Sequence, residues 1–548
     1  MNTSGQIPKQ KLQMTLLNSA EFSLSAAVLL ATSMTAGCMM VGPDYEKPKL
    51  DVQQNWLEDS DTGLKRGDVE LGTWWTVFQD PILNKLVDEA RDQNLTLQAA
   101  GIRILEARAQ LGIATGFEYP QVQQANGNLG FQQISAHAPN TSPQIDRSYG
   151  SAGIGFDAGW ELDVWGKFRR GVEAGQANLD ASIASYDDVL VSLTAEVART
   201  YVLIRTLETQ IQVALDNLQI QSETLKIANA LYSGGLITEL DYLQAKTLLS
   251  NTEATIPPLQ ALLRQAKNSL SVLLGKTPGT VDSDLGESGA IPTAPKEVAV
   301  GVPADLLRRR PDIRQAENRL MTQSALIGVA KADLYPHFSL LGSINFRASD
   351  AALTYATGGA SNLGDLFKSN SFQYSIGPSV SWDIFNYGRI TNQVRVEDAR
   401  FQALAVSYRN AVLNAAREAE NAVIGFLKAQ DQKLNLQQSV DASKRSAELS
   451  LYQYSEGLVD YQRVLDSQRS LIVAQERFTS VSGDVANNLI ALYKALGGGW
   501  ETRTETDFVP DEIKQEMDQR TDWGKLLNPG QAKLTDEDKK TLWRFPDW

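Results

Sequence analysis

The stretch Phe372-Gln-Tyr-Ser-Ile-Gly-Pro-Ser-Val-Ser-Trp382 decides the fold. Phe372, Tyr374, Ile376, Val380 and Trp382 alternate with Gln373, Ser375, Gly377, Ser379 and Ser381, which is the period of a strand with one apolar and one polar face. The same alternation follows Pro336, where Phe338, Leu340, Ile344 and Phe346 are apolar and His337, Ser339, Ser343, Asn345 and Arg347 are small or polar. Each strand of about 12 residues is long enough for the 9–11 residues that cross a bilayer at a tilt. A β-sandwich sheet with one wet face reads the same way, so these strands alone leave both open.

Working outward, the stretch occurs twice. At an offset of 222, Trp160 matches Trp382, Gly166 matches Gly388, Tyr186 matches Tyr408, Glu196 matches Glu418, Tyr232 matches Tyr454, Gly235 matches Gly457, Leu243 matches Leu465 and Gly275 matches Gly497. Upstream, Tyr119-Pro120 matches Tyr335-Pro336 at 216, so six extra residues in the second copy read as loop length. The first copy alternates Ile154, Phe156, Ala158, Trp160 and Leu162 with Ser151, Gly153, Gly155, Asp157 and Glu161, and more faintly around Ala125 to Phe131. The chain thus has two hairpins and four strands, and a repeat of this kind sets architecture before any local feature does.

Between the strands the period becomes helical. From Gly175 to Ser233, Leu190, Val197, Ile204, Ile211, Leu218, Leu225 and Tyr232 fall every seventh residue, the spacing of coiled-coil packing. A run of about 60 residues at 1.5 Å each predicts a helix of roughly 90 Å. The second copy, Arg389 to Glu456, is interrupted only by Gly425. Each long helix ends at Gly235 or Gly457 and returns, over Glu239 to Gly275 and Asp460 to Gly497, and Pro257-Pro258 should kink the first return.

Composition limits the chemistry. A net charge of -14 argues against a nucleic-acid partner, and one Cys with two His residues leaves no material for a disulfide or a thiolate metal site. Neither His137 nor His337 has a catalytic neighbour in sequence, so no catalytic residue, no metal and no enzyme is expected. Gly275-Lys276-Thr277 lacks the upstream Gly of a phosphate loop, since residue 270 is Leu. Arg310-Pro311-Asp312 reads as a helix start with Pro at its first position, the alternative being an anion site made by Arg308, Arg309 and Arg310. Lys9 and Lys11, then the apolar run from Phe22, then Thr35-Ala36-Gly37 before Cys38 form a secretory leader. No stretch reaches the length of a membrane-spanning helix.

Together these features resemble the outer-membrane efflux proteins, the TolC-like outer membrane factors, in their lipid-anchored branch. The resemblance rests on Val41-Gly42-Pro43-Asp44-Tyr45, on Trp74-Trp75 with Asp80-Pro81, on Leu306 to Ile313, on Trp382-Asp383-Ile384-Phe385 with Gly388-Arg389, and on Leu492 to Trp500. It implies a mostly α fold with membrane β: a trimeric 12-stranded β-barrel, four strands per chain, continuous with a long periplasmic α-helical barrel and built by internal duplication. It implies a passive export conduit, the outer-membrane channel of a tripartite efflux pump, with a periplasmic adaptor and a proton-driven inner-membrane pump as partners. A Cys after Ala-Gly resembles the lipobox, in which Cys38 carries diacylglycerol and palmitate and anchors the chain to the outer membrane. Tyr454 and Asp466 match the family's periplasmic gate, although Ser455 and Gln462 stand where this branch often has Arg and Leu. Gly235-Leu236 and Gly457-Leu458 are the expected adaptor-contact tips.

The expected divisions are a signal peptide over 1–37, a lipid-anchored segment and first helix over 38–118, and a first β-hairpin over 119–164. A first helical hairpin over 165–275 follows, then a linker and helix over 276–334, a second β-hairpin over 335–384, a second helical hairpin over 385–497 and a tail over 498–548, flexible or loosely docked. Two alternatives remain at this point: the outer component of a protein-secretion system, which uses the same tunnel, and a coiled-coil surface lipoprotein without channel activity, for which lipid-facing hairpins have no use.

Overall fold

In the computed structural model the described residues are 40–48, 55–67, 70–137, 146–301, 307–351, 362–503 and 507–527. The signal peptide and Cys38 lie outside them. The chain forms two units, one of Met1–Glu46, Gln110–Ala177 and Leu320–Ala403, the other of Lys47–Ala109, Asn178–Arg319 and Leu404–Trp548.

The first unit is built on a sheet. With β1 at Leu64–Arg66 and β4 at Val298–Val300 in the other unit, its strands are β2 (Val122–Gln133), β3 (Ser148–Leu162), β5 (His337–Ser349) and β6 (Phe372–Ser381). They pair antiparallel in the order β2-β3-β5-β6. Ile154 stands opposite Phe346, and Phe346 opposite Phe372, while Asp157 stands opposite Ser343 and Ser343 opposite Ser375. The alternation therefore continues across all four strands, one face mainly apolar and one mainly polar, with Val122 and Leu341 as apolar residues on the polar face. Leu129, Phe131, Phe156, Ile344, Tyr374 and Ile376 are exposed on the apolar face. Val122 opposes Gly159 and His337 opposes Ser381. With β3 and β6 aligned at 222, these registers align β2 with β5 at 215, one less than the Tyr-Pro match. Gln121 is the residue that takes up the difference: its side-chain amide donates to Glu161 O at 3.2 Å and its Oε1 accepts from Glu161 N at 2.7 Å.

The helices repeat as closely as the strands. Lys167–Ser233 and Arg389–Ser455 have 67 residues each, and their returns Glu239–Leu273 and Tyr461–Ala495 have 35 each. The first long helix starts at Lys167, within the expected division 165–275, and runs through Gly171 and Gly175. Gly175 is tolerated because a Cβ there would stand 3.2 Å from Leu111 Cδ1, so its smallness serves close helix contact. Gly425 does the same in the second copy, where Asn488 donates to its carbonyl at 3.2 Å. The return Glu239–Leu273 continues through Pro257 and Pro258.

In the second unit, Arg205 is fully buried and donates to Tyr201 Oη, Glu208, Leu285 O and Glu287 O. Trp74 stacks on Tyr493 at 5.4 Å. The tail departs from the sequence expectation: Phe508 and Val509 are buried, and Asp511–Arg520 is helical. Phe508 packs edge-on against Tyr186 and lies under Arg108 and Arg503, so one aromatic ring holds a segment whose composition reads as solvated. Residues 528–548 lie outside the described chain.

Candidate functional site

The two hairpin tips are made by one local device. Gly235 and Gly457 both have φ of 74°, a left-handed conformation that costs a glycine nothing. Leu236 N donates to Leu231 O at 2.9 Å and Leu458 N to Gln453 O at 2.8 Å, the six-residue closure of a Schellman turn. Each return helix is then capped by an acid or hydroxyl, Thr238 with Asp241 in a capping box and Asp460 accepting from Arg463 N. These turns leave the side chains of Leu236 and Leu458 74% and 71% exposed.

Behind the tips, Ala228, Ala245 and Leu248 of the first hairpin pack against Tyr454, Tyr461, Val464 and Leu465 of the second. Tyr454 is 4% exposed and meets Tyr461 at 5.5 Å and 64°. Its hydroxyl has no hydrogen-bond partner among the described residues, and burial raises its pKa above the ordinary phenol value. The structure thus puts this ring inside its own chain. Asp466, on the return helix Tyr461–Ala495, is exposed and accepts from Gln462 Nε2 at 2.9 Å. Gln462, one of the two departures from the family pattern, is therefore the partner of the acid. Ser455, the other, donates to Tyr452 O at 2.7 Å and closes its own helix end. Polar contacts across the helices behind the tip join Gln468 to Thr224 at 3.0 Å and Asn217 to Gln475 at 2.8 Å.

A charged centre that no motif announces lies in the second unit. Asp187 is fully buried between Arg314 at 3.2 Å and Arg503 at 3.1 Å, and burial pushes its pKa up to about 6 against the pull of both guanidinium groups. Arg310 donates to Asp312, to Glu418 at 2.9 Å and to Ala495 O at 2.8 Å, and Arg309 pairs with Glu501 at 2.7 Å. With two of its three guanidinium groups held by carboxylates, the Arg run is a clamp on the end of helix Tyr461–Ala495, and the anion reading loses its donors. Pro311 opens the helix Pro311–Ala332 as its position suggests. Lys276 is held by Glu89 and Asp284, and Gly275 has φ of 68°, so that motif is a helix end. His337 Nδ1 lies 2.7 Å from Glu161 Oε1 on the polar face of the sheet. Among the described residues no group of His, Cys, Asp and Glu could hold a metal ion.

A two-faced four-stranded sheet together with two long helical hairpins with matched tips is the element set of a channel-forming membrane protein. The chain belongs to the outer membrane efflux protein family, whose model matches residues 86–276 and 302–498. It is 29% identical to nodulation protein T of Rhizobium leguminosarum bv. trifolii over 467 residues, covering 85% of this chain and 96% of that one. It is also 29% identical to the toluene efflux pump outer membrane protein TtgI of Pseudomonas putida, covering 86% and 97%. Among solved structures, the outer-membrane channel OprN matches with a TM-score of 0.76 at 32% identity over 84% of this chain and 100% of OprN. The protein is thus an efflux channel component of the outer membrane, which sets aside the channel-less surface lipoprotein.

Proposed function

We propose that three copies of this chain close a twelve-stranded barrel through the outer membrane, and that their long helices form the periplasmic tunnel of a tripartite efflux pump. The sheet carries this reading. One face is mainly apolar and the other mainly polar, and among the described residues β2 pairs only with β3 and β6 only with β5. In lipid, each open backbone group at those edges would cost several kcal/mol. Four strands cannot close, eight would enclose only side chains, and twelve leave a lumen. The conduit is passive and needs no cofactor.

The reading extends to partners. A periplasmic adaptor would seat on Gly235-Leu236 and Gly457-Leu458, whose leucines stand out from rigid turns, and would couple the channel to a proton-driven inner-membrane pump. Cys38 would carry the diacylglycerol and palmitate. Two residues after Met40 the chain is already pinned: Gly42 has φ of 101°, and a Cβ there would stand 2.4 Å from Gly328 Cα. Asp466 of three copies would line the constriction that Tyr454 helps to hold shut.

Purified full-length protein in detergent should have the native mass of three chains and conduct ions in planar bilayers. A stable, non-conducting monomer overturns the reading. Palmitate labelling should vanish in Cys38→Ser, and labelling that persists removes the anchor.

A further inference from the structure

We infer that Gln221 sets how readily the tip opens: its amide is sealed without a partner in the closed seam between the two hairpins, and parting of the hairpins hydrates it. The inference rests on the channel reading and its tip gate, and adds a positioning residue that acts through the seam and not in the constriction.

The seam runs between the first long helix, Lys167–Ser233, and the second return, Tyr461–Ala495. Asn217 meets Gln475 and Thr224 meets Gln468, so seven residues forward on one helix are seven back on the other. That antiparallel register sets Gln221 opposite Leu471, which is buried. Along the first helix Leu207, Ala214 and Ala228 fall on one seven-residue series, all of them buried, and Gln221 fills the step between the last two. A polar residue at such a step fixes register at a cost in stability.

Gln221 is 3% exposed, and among the described residues neither its amide nitrogen nor its amide oxygen has a hydrogen-bond partner. Its neighbours on the stripe are already committed. Asn217 uses Nδ2 on Val213 O and on Gln475 Oε1, each at 2.8 Å, and the Thr224 hydroxyl donates to Ile220 O at 2.9 Å while accepting from Gln468. A cavity of about 650 Å³ lies beside the seam, with Ala214, Asn217, Thr252 and Ile472 in its lining, but Gln221 does not line it. Space for water thus ends a helical turn short of the amide. The desolvated amide weighs against the closed seam alone, because a seam parted by the width of a water molecule lets both polar atoms bond. The apolar cluster around Tyr454 holds the same seam from the tip side, so the two act in opposite senses.

The test is Gln221→Met, which keeps the length of the side chain and removes both polar atoms, recorded in planar bilayers beside the full-length parent. Its open-to-closed ratio should fall at least about tenfold, which is about 1.4 kcal/mol, and Gln221→Leu should lower it too. Thr224→Val should act the other way, since it takes the acceptor from Gln468 and leaves a second amide unbonded. Hydration is read separately by labelling Gln221→Cys in membranes with a water-soluble maleimide, the parent with its Cys38 giving the background. Labelling should be slow in that variant alone and should rise in step with the open fraction when Tyr454→Ala is added, a readout that stands even where an apolar variant fails to assemble. An open fraction unchanged or raised in both Gln221→Met and Gln221→Leu, or labelling at one rate with and without Tyr454→Ala, overturns the role of the amide while leaving the channel standing. A parent that does not conduct overturns both.

Discussion

Tyr454→Ala and Tyr454→Phe separate the ring of the tip latch from its hydroxyl. The ring is buried among Ala228, Ala245, Leu248, Tyr461, Val464 and Leu465, so it fastens the second hairpin to the first. Truncating a buried aromatic costs about 3–5 kcal/mol, of which the edge-on contact with Tyr461 accounts for about 0.5–1.5. If that loss falls on the closed tip, the closed-to-open ratio drops by at least on the order of a hundredfold, since about 1.4 kcal/mol is a factor of ten. The hydroxyl differs. It lacks a partner among the described residues, so Tyr454→Phe removes a buried polar group that makes no bond and should leave the tip as tight or firm it by about 1–3 kcal/mol. Single-channel recording in planar bilayers reads the open fraction directly. We expect it to rise sharply in Tyr454→Ala and to hold or fall in Tyr454→Phe. Opening by Tyr454→Phe to the extent seen in Tyr454→Ala would refute the packing account and place the hydroxyl in a bond to a neighbouring copy.

Asp466→Asn should lower cation selectivity and weaken block by trivalent cations without unfolding the protein, because three carboxylates about 6 Å apart repel by roughly 0.7 kcal/mol per pair at ε of 80 and 2.8 at ε of 20; unchanged reversal potentials would return the residue to an ordinary solvated helix face. Gly101→Ala should strip the tail from its unit, since the added Cβ would stand 2.0 Å from Phe508 O; limited proteolysis should then cut near Phe508 faster than in the parent, and an unchanged pattern counts against tail docking. Asp187 binds its proton more tightly in the folded chain than in the unfolded one, so its stabilising contribution is full below about pH 4 and is lost as pH rises through about 6. Thermal melts of the parent should therefore fall between about pH 4 and 6 by more than those of Asp187→Asn, with at most about 3 kcal/mol at stake; parallel profiles would show that the two arginines outweigh burial.

Much of the fold was legible because its signals are local. Alternation along Phe372 to Trp382 depends only on the pleat, and the glycines at 235 and 457 only on left-handed backbone, so strands, tips and helix ends appear where residue order puts them. The role of Gly175 was not legible, because its close approach to Leu111 is made with another helix. The site was legible in part. The exposure of Asp466 follows from its place on its own helix, whereas the burial of Tyr454 depends on Ala228 and Leu248, more than two hundred residues away in the chain.

The sequence by itself determined the duplication, the two-faced strands and the paired hairpins, since each is a periodicity carried by neighbouring residues. Only the tertiary structure decided the one-residue shift at Gln121, the docking of Phe508, and the Asp187 cluster between Arg314 and Arg503. The reason is physical: those features are distances between groups remote in the chain, set by how helices and strands pack, and no local period encodes which carboxylate a given guanidinium will meet.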